Sequence, residues 1–161
     1  MNTGAAAAPP QTSPPGAFTV FEATSRAGVY ARASALGISG AALLVVSPDN
    51  PSTLAGAWKN DAVFWRLART EQEGTVRPDE VDRLGSILER HLSKAPGQAV
   101  LLLGMEEIID ATSLRVARRL VALLREVAEG QGGHALLHLN PSLLDESERR
   151  VLEEGATVLR D

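Results

Sequence analysis

The sequence predicts an α/β fold, a single domain with a mostly parallel central sheet flanked by helices. Short apolar runs bounded by turn residues recur along the chain, which is typical of strands covered on both faces. Longer segments between them carry apolar residues at helical spacing. Strands that alternate with helices favour a parallel sheet with right-handed crossovers. At 161 residues the chain is long enough to bury one core without disulfides or metal.

The first sixteen residues are rich in Ala and Pro and are predicted to be a disordered tail, because such composition buries too little to offset the entropy of ordering. The α/β domain is predicted to span 17–161. The tail lacks the basic start and apolar core of a secretion signal. No later apolar run approaches the ~20 residues of a membrane span. We therefore expect a cytoplasmic protein with no membrane partner.

The predicted strands are short and mostly apolar. Phe18 and Val20 share one face of the first strand, and Phe64 and Trp65 lie on opposite faces of the third. The polar stretch 69–77 is predicted to be a surface loop. The strands are predicted at 18–23, 41–47, 61–68, 98–104, 134–140 and, as an edge strand, 156–160.

The helices are predicted from apolar periodicity and from their start and stop signals. They are expected at 25–37, 77–94, 112–129 (the longest) and 141–155. One buried stripe consists of Val81, Leu84, Leu88 and Leu92. Asn50 and Asn140 each precede Pro-Ser at the end of a strand. Both are predicted to cap helices whose first residues are Pro51 and Pro141.

Composition and motifs exclude several kinds of chemistry. The net charge is −4 with scattered arginines, so we expect no nucleic-acid partner. The chain has no cysteine, which excludes disulfides, thiolate catalysis and cysteine-ligated zinc. Without a Gly-rich loop followed by Lys-Ser or Lys-Thr, no nucleotide binding is expected. No GxSxG elbow is present, and the three histidines lack a completing ligand set. We expect no catalytic residue, no cofactor and no metal.

The stretch AVLLLGMEEIIDATS, residues 99–113, passes from an apolar strand into a cluster of acids. Glu106, Glu107 and Asp110 could be paired carboxylates, but such pairs need held geometry and shifted pKa values. The favoured interpretation is structural. The chain turns after Gly104, the acids stay solvated, and Asp110 or Thr112 caps the long helix.

A second interpretation of the strand ends is a small-molecule pocket. In open α/β sheets, ligands bind at the carboxyl ends of the strands. Ser47, Asp49, Asn50, Glu106 and Asn140 fall at such ends and form the candidate pocket. A sensor or weak enzyme would use these residues. The simpler alternative is that they only cap helices and turns.

The segments LLVVSPDNPSTL, VFWRLARTEQEGTVRPDEVDRL, AVLLLGMEEIIDATSLRVARRLVALLREV and HALLHLNPSLLDESERRVLEE resemble the domain-of-unknown-function-835 family in order and spacing. Members often stand beside signalling modules, and the family has no established catalytic residues to carry over. The resemblance implies a degenerate relative of RecA-like ATPases. Gly104 ends the strand that would carry a Walker B aspartate. Members of the family tend to have an Asn after the acidic end of this strand. In this chain Asp-Ala-Thr-Ser, residues 110–113, occupies that place.

The carboxyl-terminal half is also similar to the sulfate-transporter and anti-sigma-antagonist domain, through strand, IIDATS, helix, Gly-Gly, strand and NPS. That resemblance implies a phosphoswitch at Thr112 or Ser113, near the start of the long helix. Hydroxyl side chains at helix starts are also common as caps alone.

We predict a non-catalytic signalling or regulatory adaptor that acts through protein–protein association, with a homodimer as one form. The signalling setting is implied by the family resemblance. Val116 and Leu123 lie beside the main apolar stripe of the long helix. If they are exposed, they supply an interface. If a further helical layer covers them, they belong to the core.

Overall fold

The sheet contains seven parallel strands. The structure is a computed structural model that describes residues 17–36, 38, 42–54 and 62–160. The strands are β1 (Phe18–Glu22), β2 (Leu43–Ser47), β3 (Val63–Leu67), β4 (Thr75–Val76), β5 (Ala99–Leu102), β6 (His134–Leu139) and β7 (Thr157–Arg160). Their order across the sheet is β4-β3-β2-β5-β6-β1-β7. Every described pairing is parallel, which confirms the α/β class.

Six described helices cover the two faces of the sheet. They are α1 (Arg26–Ser34), α2 (Pro51–Leu54), α3 (Val81–Leu92), α4 (Met105–Ala111), α5 (Leu114–Gln131) and α6 (Glu146–Leu152). One apolar core joins the sheet to α3, α4, α5 and α6, and a second joins the opposite face to α1 and α2. The chain crosses the sheet in one direction from β1 to β2 and β3, with α1 and α2 on one face. It crosses in the other direction from β4 to β5, β6 and β7, with the other four described helices on the opposite face. Right-handed crossovers require this arrangement.

Strand faces follow the predicted alternation. Phe18 and Val20 enter the first core, whereas Phe21 enters the second. Trp65 packs against the first core and Phe64 against the second, as predicted. The central strands are buried on both faces, because a parallel sheet between two helical layers leaves no polar face.

The connectivity changes direction between β2 and β5, which are adjacent in the sheet. The chain leaves β2 toward β3 on one side and leaves β5 toward β6 on the other. In open α/β sheets a crevice forms at the carboxyl ends of such a pair of strands. The segments 47–49 and 103–107 follow these two strands and therefore flank the crevice.

The predicted loop 69–77 is partly wrong, because it contains the short strand β4. Thr75 and Val76 are buried and pair with Arg66 and Leu67. The Thr75 hydroxyl donates to the Gln72 carbonyl at 2.6 Å and accepts from the Gln72 N–H, which folds the connection back on itself. A two-residue strand is too short for a periodic signal.

The predicted helix at 141–155 is shorter than expected. Asn140 accepts the Ser142 N–H at 2.8 Å, as a cap would, but the chain continues as turns. The helix begins at Glu146 behind a capping box of Asp145 and Glu148. Asn50, by contrast, caps α2 through the Ser52 N–H at 3.0 Å, as predicted.

The predicted long helix is confirmed as α5, with its cap in a different place. Ser113 is the N-cap, and its hydroxyl accepts the Val116 N–H at 3.1 Å, so capping by Asp110 or Thr112 was wrong. The helix ends at Gly132 in the left-handed conformation. The predicted tail 1–16, Gly37 and the start of the predicted strand at 61 lie outside the described residues.

Candidate functional site

The end of β2 carries a hydrogen-bonded network that joins the sheet to α1. The Tyr30 hydroxyl lies 2.5 Å from the Ser47 hydroxyl and donates to Asp49 Oδ2 at 2.8 Å. Arg26 binds the same carboxylate through two nitrogens, at 2.8 and 3.1 Å. Ser47 is fully buried, and it also accepts the Asp49 N–H at 3.1 Å. We name this group the β2-end network.

The charges of the β2-end network are stabilised mainly within it. The hydrogen bonds from Arg26 are the first cause of the lowered pKa of Asp49, and Tyr30 adds to the effect. Burial raises the pKa of the Tyr30 phenol, which therefore stays protonated as a donor. A carboxylate already held by a bidentate guanidinium and a phenol is well satisfied. This arrangement locks α1 onto the strand end.

The end of β5 carries two acids in α4, not in a solvated loop as predicted. Glu106 is half-buried, and its Oε2 accepts the Asn140 N–H at 3.0 Å. Burial is the main cause that raises the pKa of Glu106. Oε2 of Glu107 is buried and accepts no hydrogen bond from the described residues. Only Asp110 of the predicted cluster is exposed.

The acids of α4 are turned inward by the backbone at Gly104. This residue has φ of 91°, a conformation that side chains disfavour. A Cβ here would lie 2.7 Å from Leu67 Cδ2 and 2.9 Å from both Pro48 Cγ and Glu107 Oε2. The β2 and β5 ends therefore approach each other closely at Gly104.

His138, on β6, adds a second unsatisfied polar atom to this edge of the sheet. The side chain is 2% exposed, and Nε2 lies 2.8 Å from the Ala23 carbonyl oxygen. Because a carbonyl only accepts, Nε2 carries a proton and donates it to this bond. Nδ1 has no hydrogen-bond partner among the described residues. His91 is buried elsewhere and bonds the Ala42 carbonyl, which fits a structural role.

The candidate pocket residues form two separate contacts. Ser47 joins Asp49 through the β2-end network, and Glu106 joins Asn140. Asn50 is exposed, and its side chain is used by the cap of α2. Arg26 and Tyr30 could not be identified from the sequence, because they lie in α1, about twenty residues before their partners, and belong to no motif. It considered Glu107 and His138 only for other chemistry.

The candidate phosphosite residues both make local structural bonds. The Thr112 hydroxyl donates to the Ile108 carbonyl at 2.6 Å, and the Ser113 hydroxyl accepts from Val116. Both residues are half-buried. The capping alternative therefore describes how the Ser113 hydroxyl is used, whereas the Thr112 hydroxyl bonds within the end of α4. The phosphoswitch stays a prediction.

A groove of about 600 Å³ runs between α3 and α5 on the outer side of the helical layer. Both candidate interface residues, Val116 and Leu123, line it and are half-buried, so no other described element covers them completely. The two helices pack closely at Gly85, where an added Cβ would lie 3.3 Å from Leu123 Cδ2. We call this feature the α3–α5 groove; Val81, Asp82, Gly85, Ser86, Glu89, Val116, Arg119, Leu120 and Leu123 line it.

A charged cluster closes the far end of the sheet around Glu22, which is 7% exposed. Arg160 donates to its carboxylate at 3.0 Å, and Arg149 lies 3.5 Å away. Glu153 faces the same carboxylate. Burial, followed by the hydrogen bond to Glu22, raises the pKa of Glu153 to about 7. Helix α6 and the edge strand β7 are thus tied to β1 through charged groups.

The described residues offer neither a metal-binding cluster nor a membrane-spanning helix. No group of three or more His, Asp or Glu side chains there is placed to hold a metal ion. No helix in that part of the chain has both the length and the apolar character needed to cross a bilayer.

The fold and these sites define a parallel α/β domain with polar groups at the carboxyl ends of its strands and an open groove on one helical layer. A family model described as protein of unknown function (DUF835) matches residues 32–155, and the chain belongs to this family. The family resemblance in the sequence is thereby confirmed. No curated protein matches the chain. The RecA-like and anti-sigma-antagonist resemblances stay predictions.

Proposed function

We propose that the protein is a non-catalytic regulatory adaptor that associates with other proteins through the α3–α5 groove. The observation that carries this proposal is the groove itself, in which Val116 and Leu123 are half-buried next to buried Leu120. A groove between two helices that presents apolar side chains such as Val116 and Leu123 suits an amphipathic helix or a helical pair. Charged residues on both rims would fix the orientation of what binds.

The test replaces Val116 and Leu123 by serine, which is polar and smaller than either residue. The double variant V116S/L123S keeps the buried positions of α5 unchanged, so circular dichroism should show a folded protein. Affinity capture from the native cell should lose the partners that the wild-type chain retains. L143S is the matched control, because Leu143 is 64% exposed and lies outside the groove. Capture that is equal in all three proteins would contradict the proposal.

A second candidate function, small-molecule sensing at the carboxyl edge of the sheet, is favoured by two buried polar atoms that have no hydrogen-bond partner among the described residues. These are Oε2 of Glu107 and Nδ1 of His138. Buried polar atoms in native proteins are nearly always paired, so a ligand with hydrogen-bonding groups, including a donor for Glu107, would satisfy them. Native mass spectrometry of protein from its own cells, before and after denaturation, tests this function. A bound molecule that is lost in E107A supports it, and a mass equal to the bare chain argues against it.

A further inference from the structure

The two walls of the α3–α5 groove carry opposite charges. Asp82 and Glu89 stand on the α3 wall, and Arg119 stands on the α5 wall. All three are exposed, and none forms an ion pair or a side-chain hydrogen bond with another described residue. Their neighbours differ in this respect, since Arg83 pairs with Glu80 and Arg118 lies 3.9 Å from Glu154. The charges on the groove walls are therefore available to a partner.

The helices that form the groove are parallel to each other. Helix α3 leads into β5 and α5 leads into β6, and these strands are parallel neighbours. Gly85 lies level with Leu120 and Leu123, as their close approach shows. Asp82, about one turn before Gly85, is therefore level with the turn of α5 that carries Arg119.

Two arrangements of a second copy would place groove against groove with two-fold symmetry. With the axis across the helices, α3 of one copy lies over α3 of the other. The acidic side chains Asp82 and Glu89 of one copy then face the same acidic wall of the second copy. With the axis along the helices, each α3 lies over the α5 of the other copy. Asp82 then faces Arg119 of the second copy, and the same pair forms twice, as an isologous interface requires. Like charges in contact oppose association, whereas complementary ones set the orientation.

We propose that the partner in the α3–α5 groove is a second copy of this chain, with α3 of each copy over α5 of the other. This inference rests on the proposed function, because it names the partner of the same groove. Val116 and Leu123 lie at the centre of the interface. Two symmetric pairs of Asp82 with Arg119 flank it and exclude the arrangement with the axis across the helices.

Sedimentation velocity of the full chain over a range of concentrations tests the proposal. The wild-type protein should sediment as a dimer. Both R119D and D82R should weaken the dimer on the order of tenfold or more, since each makes two contacts repulsive. The double variant D82R/R119D restores opposite charges across the interface and should regain the dimer. R118D makes the same charge change on the neighbouring residue of α5, outside the groove, and should remain dimeric.

Each outcome has one meaning. A wild-type monomer at all concentrations, or a double variant that stays as weak as the single ones, would overturn the proposal. Dissociation of R118D to the same degree as R119D would also overturn it. If one single variant does not fold, the other gives the same information from the opposite wall. A monomer whose captured partners still depend on Val116 and Leu123 would leave the adaptor function standing and remove only the second copy as partner.

Discussion

Gly104 shows how one residue sets the geometry of the candidate site. Its positive φ starts α4 immediately after β5, and its missing Cβ lets the β2 and β5 ends approach. Atoms of Leu67, Pro48 and Glu107 lie 2.7–2.9 Å from the place of the missing Cβ, and the Glu107 atom, Oε2, is buried. A glycine that the sequence analysis considered only as the end of a strand is thus the reason why the acids point inward.

We expect Gly104→Ala to destabilise the fold by about 2–4 kcal/mol, because it adds backbone strain and a clash with three neighbours. Gly130→Ala is the matched control. Gly130 lies within α5 with nothing near an added Cβ, so this change should stabilise by ~0.5 kcal/mol through helix propensity. Urea unfolding of both variants measures the difference. Equal and small effects would contradict the strain at Gly104.

The Glu153 carboxyl makes the stability of the fold depend on pH. Its folded pKa of about 7 exceeds the ordinary value of 4.5, so the folded state holds a proton that the unfolded state releases. This contribution to stability is complete below 4.5 and is lost as pH rises through about 7. Glu22 acts in the opposite direction and in a lower window, because the hydrogen bond from Glu153 and the charges of Arg160 and Arg149 lower its pKa.

Glu153→Gln should therefore remove the fall in unfolding free energy between pH 4.5 and about 7. The amide can still donate to Glu22, so the variant should be more stable than the wild type above that window. Other charged groups face this cluster, namely Glu146, Arg150, Arg149 and Arg160, and all are unchanged in the variant. Urea denaturation across the pH range is the measurement. Parallel profiles for the two proteins would show that Glu153 does not bind the proton.

At the scale of the elements, periodicity in the sequence predicts the long helices and the apolar strands. The short elements depend on local hydrogen bonds and backbone conformation instead. Leu84, Leu88 and Leu92 of the α3 stripe are buried as predicted, because burial of one face requires helical spacing, whereas Val81 is half-buried and lines the groove. Helix α5 likewise buries one face. The strand β4 and the short α4 could not be predicted, since each is too short to show a period. Their positions depend on Thr75 and Gly104, whose roles arise from tertiary neighbours.

The candidate site divides in the same way. Strand ends are visible in the sequence, so Ser47, Asp49, Glu106 and Asn140 could be placed at one edge of the sheet. Their partners could not be predicted, because Tyr30 reaches Ser47 only after α1 packs on the second core.

Ser113 is the element-scale test of α5. Ser113→Ala removes the hydroxyl that accepts the Val116 N–H, and we expect a loss of about 1 kcal/mol in the free energy of unfolding. Ser113→Thr keeps a capping hydroxyl and should retain most of the stability. Chemical denaturation of the two variants checks this prediction. Equal stability of the Ala and Thr variants would mean that the cap contributes little.

At the scale of the whole molecule, the two helical layers differ in what they leave open. The layer of α1 is joined to the sheet edge by the β2-end network, whose polar groups satisfy one another. The layer of α3 and α5 carries an open groove, and the charges of Asp82, Glu89 and Arg119 on its walls pair with no other described residue. We therefore expect the protein to associate with its partner through this groove.

Site-specific photocrosslinking in the native cell tests that claim most directly. A photoreactive residue at Ser86, which is exposed in the groove, should form a covalent adduct with the bound protein. The same residue at Ser142, which is exposed and outside the groove, should form none. Adducts from Ser86 alone are the predicted result. No adduct from Ser86, or equal adducts from both positions, would contradict association through the α3–α5 groove.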